Sequence, residues 1–285
     1  MWIMYAFGSA FFAGITAVLA KIGIKDVDSN LATALRTIVI LIFSWLMVFI
    51  VGSFNTISII ETKTLVFLVL SGMATGLSWL CYFKALQLGN VNNVTPIDKS
   101  STILTMVLAM LFLNEAFTVL KGISIVLIGV GTYMMIEKKK DTDTKSESWL
   151  IYACGSAVFA SLTSILGKIG ISGVESNLGT AIRTVIVLIM AWVVVAVTKK
   201  AKEIKNIDKK SWIFLILSGL TTGLSWLCYY KALQDGEASI VVPIDKLSIL
   251  VTIAFSYFIL HEKMTKKSLL GLVGIVIGTF LLLVK

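Results

Sequence analysis

Proline and histidine are almost missing from this sequence of 285 residues, which has two prolines and one histidine. Charge is scarce as well: 14% of residues are Asp, Glu, Lys or Arg, against roughly a quarter in soluble domains, while 57% are apolar. That shortage of charge, with a mean hydropathy of +0.93, excludes a soluble globular domain. Short alternating segments and turn clusters are absent, so a membrane β-barrel is excluded too. The cysteines number three, Cys81, Cys154 and Cys228, all inside apolar stretches. An odd number there argues against a disulfide framework, and no spacing suits zinc. The sequence also lacks paired carboxylates, a nucleophile triad, a phosphate-cradling loop and a metal cluster, so it reads as no enzyme and calls for no cofactor. The lone His261 lies in a loop, and the net charge of +9 belongs to membrane-flanking loops rather than to a nucleic-acid surface.

What is present is one apolar stretch after another. Ten fall near 2–24, 31–52, 65–86, 94–113, 119–136, 149–171, 178–199, 212–233, 241–260 and 268–284. Spans of about 20 residues use some 200 positions and leave little for a soluble domain. The expected fold is all-α: a polytopic membrane protein of ten transmembrane helices, multi-pass in a prokaryotic plasma membrane.

The ten stretches are five, written twice. A shift of 147 positions, without a gap, aligns 1–138 on 148–285 with about 60 identities. Residues 71–87, SGMATGLSWLCYFKALQ, return at 218–234 as SGLTTGLSWLCYYKALQ; Pro96-Ile-Asp98-Lys99 returns as Pro243-Ile-Asp245-Lys246, and Arg36-Thr as Arg183-Thr. Three segments follow: repeat 1–138, polar linker 139–147, repeat 148–285. The first stretch has no basic leader and its twin is internal, so it reads as a span and not a cleaved signal. An odd number of helices ends on the side opposite its start. The second copy therefore enters upside down, and the halves are expected to be inverted repeats, the architecture of many secondary transporters.

Loop lysines number fourteen on the side holding the linker against three on the other, which places both termini outside.

Lys84-Ala-Leu, Pro96, Phe112-Leu-Asn-Glu115, Gly122 and Ile128-Gly129 resemble the ending of an EamA-type repeat, and Lys231-Ala-Leu, Pro243 and Ile259-Leu-His-Glu262 resemble it again. The chain thus resembles, over nearly its whole length, the ten-helix members of the drug/metabolite transporter superfamily. That resemblance implies a carrier of small metabolites with a central cavity between the halves, and both termini in the cytoplasm, opposite to the loop charges. Asn114 and His261 stand where the family usually has glycine, and the Asp-Lys after each proline is not general to it.

Charges inside a bilayer cost roughly 2.5–3.5 kcal/mol each at a helix centre, so Arg36, Lys84, Asp98 and their twins Arg183, Lys231 and Asp245 need a reason. They are expected to form gates, with Lys84 pairing Asp98 or, across the halves, Asp245. The alternative is that long side chains snorkel at helix ends, as for Lys21, Arg36 and Lys99, and that Asp98 favours a helix N-terminus. Ser78, Trp79 and Tyr82, with Ser225, Trp226 and Tyr229, lie at mid-span, away from the interfaces where Trp and Tyr gather. They are expected to line a cavity, or else to pack against small neighbours. Gln87 and Gln234 read as helix ends. Glu115 and Glu262 read as caps or partners of loop lysines, with proton coupling the sharper alternative. Glycines in spans 5 and 10 mark close helix contact.

The functional expectation is a secondary transporter, read as an exporter, of small organic metabolites by alternating access. Embedded basic groups outnumber acidic ones, and with the aromatic pairs this favours amino acids or related zwitterions. The partners are a small-molecule substrate and the bilayer, with no nucleic acid; the chain acts as a monomer or homodimer. The alternatives are a flippase of phosphate-linked lipids and a non-transporting scaffold.

Overall fold

The computed structural model describes residues 1–23, 27–88, 94, 97–135, 148–260 and 265–284. The linker 139–147, Pro96, His261 and Glu262 lie outside the described residues, as do the side chains of Lys21 and Gln87. Among the described residues there is no strand. The first half contains α1 (Trp2–Gly23), α2 (Ser29–Val51), α3 (Thr62–Leu88), α4 (Ser101–Phe112) and α5 (Val119–Met134). The second contains α6 (Ser148–Ile171), α7 (Ser176–Thr198), α8 (Lys209–Asp235), α9 (Ala238–Lys246), α10 (Ser248–Leu260) and α11 (Lys266–Leu281). Among the described residues, seven stretches are long and apolar enough to cross a membrane, and α5 is a shorter apolar helix.

Local chemistry sets the helix ends. Asp28 accepts the Asn30 and Leu31 N–H groups at 3.0 and 3.1 Å, and its twin Glu175 accepts those of Asn177 and Leu178 at 3.0 Å each. These carboxylates satisfy donors that the first turn cannot pair internally. Thr118 and Thr265 cap α5 and α11 in the same way. The α2 and α7 helices both end on a left-handed residue, Gly52 at φ 77° and Lys199 at φ 57°. Outside the bilayer, the Ser211 hydroxyl and N–H hold the Asp208 carboxyl below the usual carboxylate range.

The fourth span of each half differs from the continuous helix expected at 94–113 and 241–260. In the second half α9 stops at Lys246 and α10 starts at Ser248. Pro243 inside α9 has no N–H to give to the preceding turn, and the Leu247 N–H turns back to the Ile244 carbonyl at 2.9 Å. The first half breaks at the matching place: residues 97–99 are helical, Ser100 donates to the Ile97 carbonyl, and α4 begins at Ser101. Each break falls directly after the Asp-Lys pair.

Packing runs across the halves and is reciprocal. The α1 helix lies on α8 while α3 lies on α6; α2 meets α7, α5 meets α11, α1 meets α10 and α4 meets α6. In each case a helix contacts the twin of its twin's partner, as a twofold relation requires. Large apolar side chains such as Ile42, Phe49 and Ile50 on α2 are left exposed on the outer surface, where lipid would cover them. The seam depends on small residues. A Cβ on Gly72 would lie 2.7 Å from Cβ of Ile186 and 3.0 Å from the Arg183 carbonyl oxygen; one on Gly219 would lie 2.8 Å from Cβ of Val39 and 3.1 Å from the Arg36 carbonyl oxygen. These twin glycines bring α7 and α2 close enough to present their arginines inward. The expected glycine contact between the fifth helices is also present, with Gly271 and Gly131 each against the other's carbonyl.

Gly72→Val and Gly219→Val are each expected to destabilise the fold by about 1–3 kcal/mol through overpacking of the seam. The check is the thermal unfolding midpoint in detergent, which should fall for both variants.

Candidate functional site

Helix breaks and cross-half packing converge on a cavity of about 310 Å³. Its wall takes Ser9 from α1, Thr75, Ser78 and Trp79 from α3, Ser164 from α6 and Arg183 from α7. The α8 helix adds Ser225, Trp226, Tyr229 and Tyr230, and the end of α9 adds Asp245 and Lys246. A smaller chamber of about 230 Å³ is lined by Thr33, Arg36, Thr37, Ile40 and Thr222. Trp79 and Trp226 line both spaces.

The polar groups are held by donors from the opposite half. Ser9 donates its hydroxyl to Asp245 at 2.6 Å, and Ser225 donates to the Ser9 carbonyl at 3.1 Å. The twin arrangement is complete: Ser156 donates to Asp98 at 2.8 Å, and Ser78 to the Ser156 carbonyl at 3.1 Å. A carboxylate at such depth needs this: an unmet acceptor away from water costs about 1–3 kcal/mol, more when charged. Each aspartate sits beside a lysine in sequence, Lys99 or Lys246, so opposite charges share each helix break.

The arginines follow the same rule with one difference. Arg183, 1% exposed, donates from Nη2 to Thr75 at 2.8 Å and from Nε to Ser71 at 3.4 Å. Its guanidinium carbon stands 4.4 Å from the Tyr230 ring centre and 5.3 Å from that of Trp226, where the ring faces attract a cation. Arg36 repeats the Nη2 bond, to Thr222 at 2.7 Å, but its buried Nε has no partner. Ser218, the twin of Ser71, donates instead to Leu215 in its own helix. Among the described residues no carboxylate forms an ion pair with either arginine.

Of the residues singled out in the sequence, Ser78, Trp79, Ser225, Trp226, Tyr229, Arg183 and Asp245 line the larger cavity. Arg36 lines the smaller one, and Asp98 joins the set through Ser156. Tyr82 is not in either wall and packs beside Ala85, Val94 and Ala153. Lys84 is exposed, and no described ion pair joins it to Asp98 or Asp245. Lys231 binds Asp235 one turn on at 3.1 Å, on its own helix. Lys168 donates to the carbonyls of Leu233 and Gly236, and Gln234 donates to those of Ile171 and Val174 at 2.7 Å, so both close helix ends. Glu115 accepts the Ala238 and Ser239 N–H groups at 2.6 and 2.9 Å. It is a cap, but of α9 in the other half and not of the next helix.

Sequence reasoning passed over Ser9, Ser156, Thr75 and Thr222, which hold the charges. A signal existed: each is identical to its twin across the repeat and lies within an apolar span. Tyr230 and Ser164 had no such signal, because their twins are Phe83 and Ala17.

Similarity to known proteins adds a frame. The EamA-like transporter family matches residues 1–137 and again 147–284. An uncharacterized transporter in the cobO 3′ region of a Sinorhizobium species is 42% identical over 139 residues, which is 49% of this chain and 99% of that protein. An uncharacterized protein of Methanocaldococcus jannaschii is 37% identical over 83 residues, 29% of this chain and 61% of its own length. A solved crystal structure matches with a TM-score of 0.78 at 14% identity, covering 99% of this chain and 96% of that one, and so shares its fold.

Ser9→Ala and Ser156→Ala are each expected to cost about 1–3 kcal/mol by removing a donor from an embedded aspartate. Adding Asp245→Asn to Ser9→Ala should recover much of the loss, because the uncharged amide has less to lose. Unfolding midpoints of the single and double variants in detergent provide the check.

Proposed function

The chain belongs to the EamA-like transporter family and is a membrane transporter of small molecules, and we propose that it is a secondary carrier of amino acids or related zwitterions. The observation that carries this reading is the composition of the larger cavity. Arg183 offers a guanidinium without a carboxylate partner, Asp245 offers a carboxylate a short way round the wall, and Trp79 and Trp226 offer aromatic faces. A solute with a carboxylate, an amine and an apolar body meets a counterpart for each. About 310 Å³ suits one small molecule rather than a lipid with its chains.

Alternating access between inverted halves is the proposed mechanism. An odd number of helices per repeat turns the second copy over, so equivalent residues face opposite surfaces. The reciprocal bonds Ser9–Asp245 and Ser156–Asp98 then supply the same closure chemistry at both ends. Rocking the halves about their seam exchanges which closure is tight, while the solute stays near the middle. In this reading Asp98, Asp245 and the two arginines carry the gate. Lys84 and Lys231 lie outside it.

The test is a thermal-shift screen of the purified full chain against amino acids, organic acids, quaternary amines and lipid phosphates. A ligand at 100 times its Kd adds about 2.7 kcal/mol to the folded state. At least one amino acid is expected to stabilise the protein, and Trp226→Ala to weaken that binding about tenfold or more, the loss of one aromatic contact. A response to lipid phosphates alone would replace the carrier reading with a lipid flippase.

A further inference from the structure

The smaller chamber holds a feature to which the carrier reading assigns no ligand. Arg36 reaches it from α2 among three threonine side chains, Thr33, Thr37 and Thr222. One Nη2 bond to Thr222 is made, while Nε is buried and has no partner. The lysines at the helix breaks differ, since each has an aspartate next to it in the chain. A guanidinium presents five donors in a planar fork that fits a carboxylate through two parallel bonds. Here the Nε corner of that fork is left over, on a side chain that lines a space of about 230 Å³ together with Trp79 and Trp226.

The twin arginine shows what that free corner lacks. Arg183 has the same threonine bond, but its Nε also reaches the Ser71 hydroxyl at 3.4 Å, and Tyr230 and Trp226 cover its face. The serine in the corresponding place near Arg36 is Ser218, which is engaged with Leu215. One sequence motif, written twice, therefore stands in two states: a guanidinium whose Nε has a hydroxyl partner on one side and a guanidinium whose Nε has none on the other.

We propose that the Arg36 chamber is a second binding site, an oxyanion station that takes the carboxylate of the transported solute, and that Arg36 and Arg183 exchange the unpartnered and the partnered Nε during the cycle. The carboxylate docks on the arginine with the unpartnered Nε and passes to the twin beyond the shared wall of Trp79 and Trp226. The chamber's size admits a carboxylate with a small apolar body, and a threonine hydroxyl such as that of Thr33, which now donates to the Ser29 carbonyl at 2.7 Å, can exchange that bond for one to the second oxygen. This inference rests on the carrier reading, and its test separates the two.

The probes are benzoate and its uncharged counterpart benzamide, titrated by calorimetry into the purified full chain in detergent. Benzoate is expected to bind and benzamide to bind about tenfold more weakly or not at all, the difference between a charge-assisted and a neutral hydrogen bond. Arg36→Gln should weaken benzoate about ten- to a hundredfold and leave benzamide unchanged. Arg36→Lys keeps the charge but loses the fork and should fall between the two. Equal affinity for the two probes in the unaltered protein overturns the station, and that comparison needs no variant to fold. Full benzoate affinity in Arg36→Gln, or no benzoate binding up to about 10 mM, overturns it as well. Transport of an amino acid in liposomes distinguishes the failures. Unimpaired transport by Arg36→Gln removes the station and the gate role of Arg36 while the zwitterion carrier stands, whereas an unaltered protein that transports no amino acid removes the zwitterion carrier on which the station rests.

Discussion

Charged side chains drawn into an apolar helix bundle must find partners within the protein, and in this chain the partners come from the other half. Asp245 depends on Ser9, Asp98 on Ser156, Arg183 on Thr75 and Arg36 on Thr222. None of the four pairs lies within one repeat, so neither half satisfies its own charges alone. The seam between halves is at once the element that makes the fold stable and the one that a transport cycle has to rearrange. Hydroxyls suit both demands. Their bonds to charged groups are worth about 1.5–3 kcal/mol, enough to hold a closure yet small enough to exchange.

Much of this was readable from the sequence, because the chain carries its own comparison. The 147-residue shift identifies the charged and aromatic positions and ties them in pairs. It also explains why Trp79 and Trp226 turn up together in both cavities, as twin residues near a twofold relation. What stayed illegible was partner choice. Lys84 and Lys231 looked like the natural mates of Asp98 and Asp245, since opposite charges attract and both are embedded. The fold instead puts Lys231 beside Asp235 and gives each aspartate a serine hydroxyl. Hydropathy places a residue along the membrane normal, but not around the helix or across the seam. A short hydroxyl on α1 meets the aspartate because α1 runs close against α10, where a Cβ on Gly14 would lie 2.9 Å from the Ser248 carbonyl oxygen, and no charge pattern announces that.

The broken fourth span shows a similar limit. Pro243 was visible, and a proline inside an apolar run disturbs the helix. The run was long enough to be read as one span all the same. The structural consequence is that Asp245 and Lys246 fall at an interruption, where the backbone is no longer continuous and side chains can face the cavity. An unbroken helix would bury that turn in packing. Breaks at Ser100 and Leu247, equivalent positions, make the interruption part of the repeat rather than an accident of one copy.

Where the copies have diverged, the symmetry ends. Lys121 on α5, only 7% exposed, meets Glu237 at 2.5 Å just ahead of α9, and Glu115 beside it caps the first N–H groups of α9. The twins of Lys121 and Glu237 are Ser268 and Asn90, so the second copy of that ion pair cannot exist. A pair with one partner half exposed contributes modestly, but it adds to the cap on the same short helix. A nine-residue half-helix leading into the cavity is thereby anchored at one end by two residues of the other repeat, Lys121 and Glu115. In the proposed carrier, twofold packing would supply two equivalent closures, and it takes such unshared side chains to make them unequal. A carrier whose two closures were identical would have no intrinsic preference between its states, whereas divergence at Lys121 and Glu237 would give the proposed one a physical basis for preferring one of them.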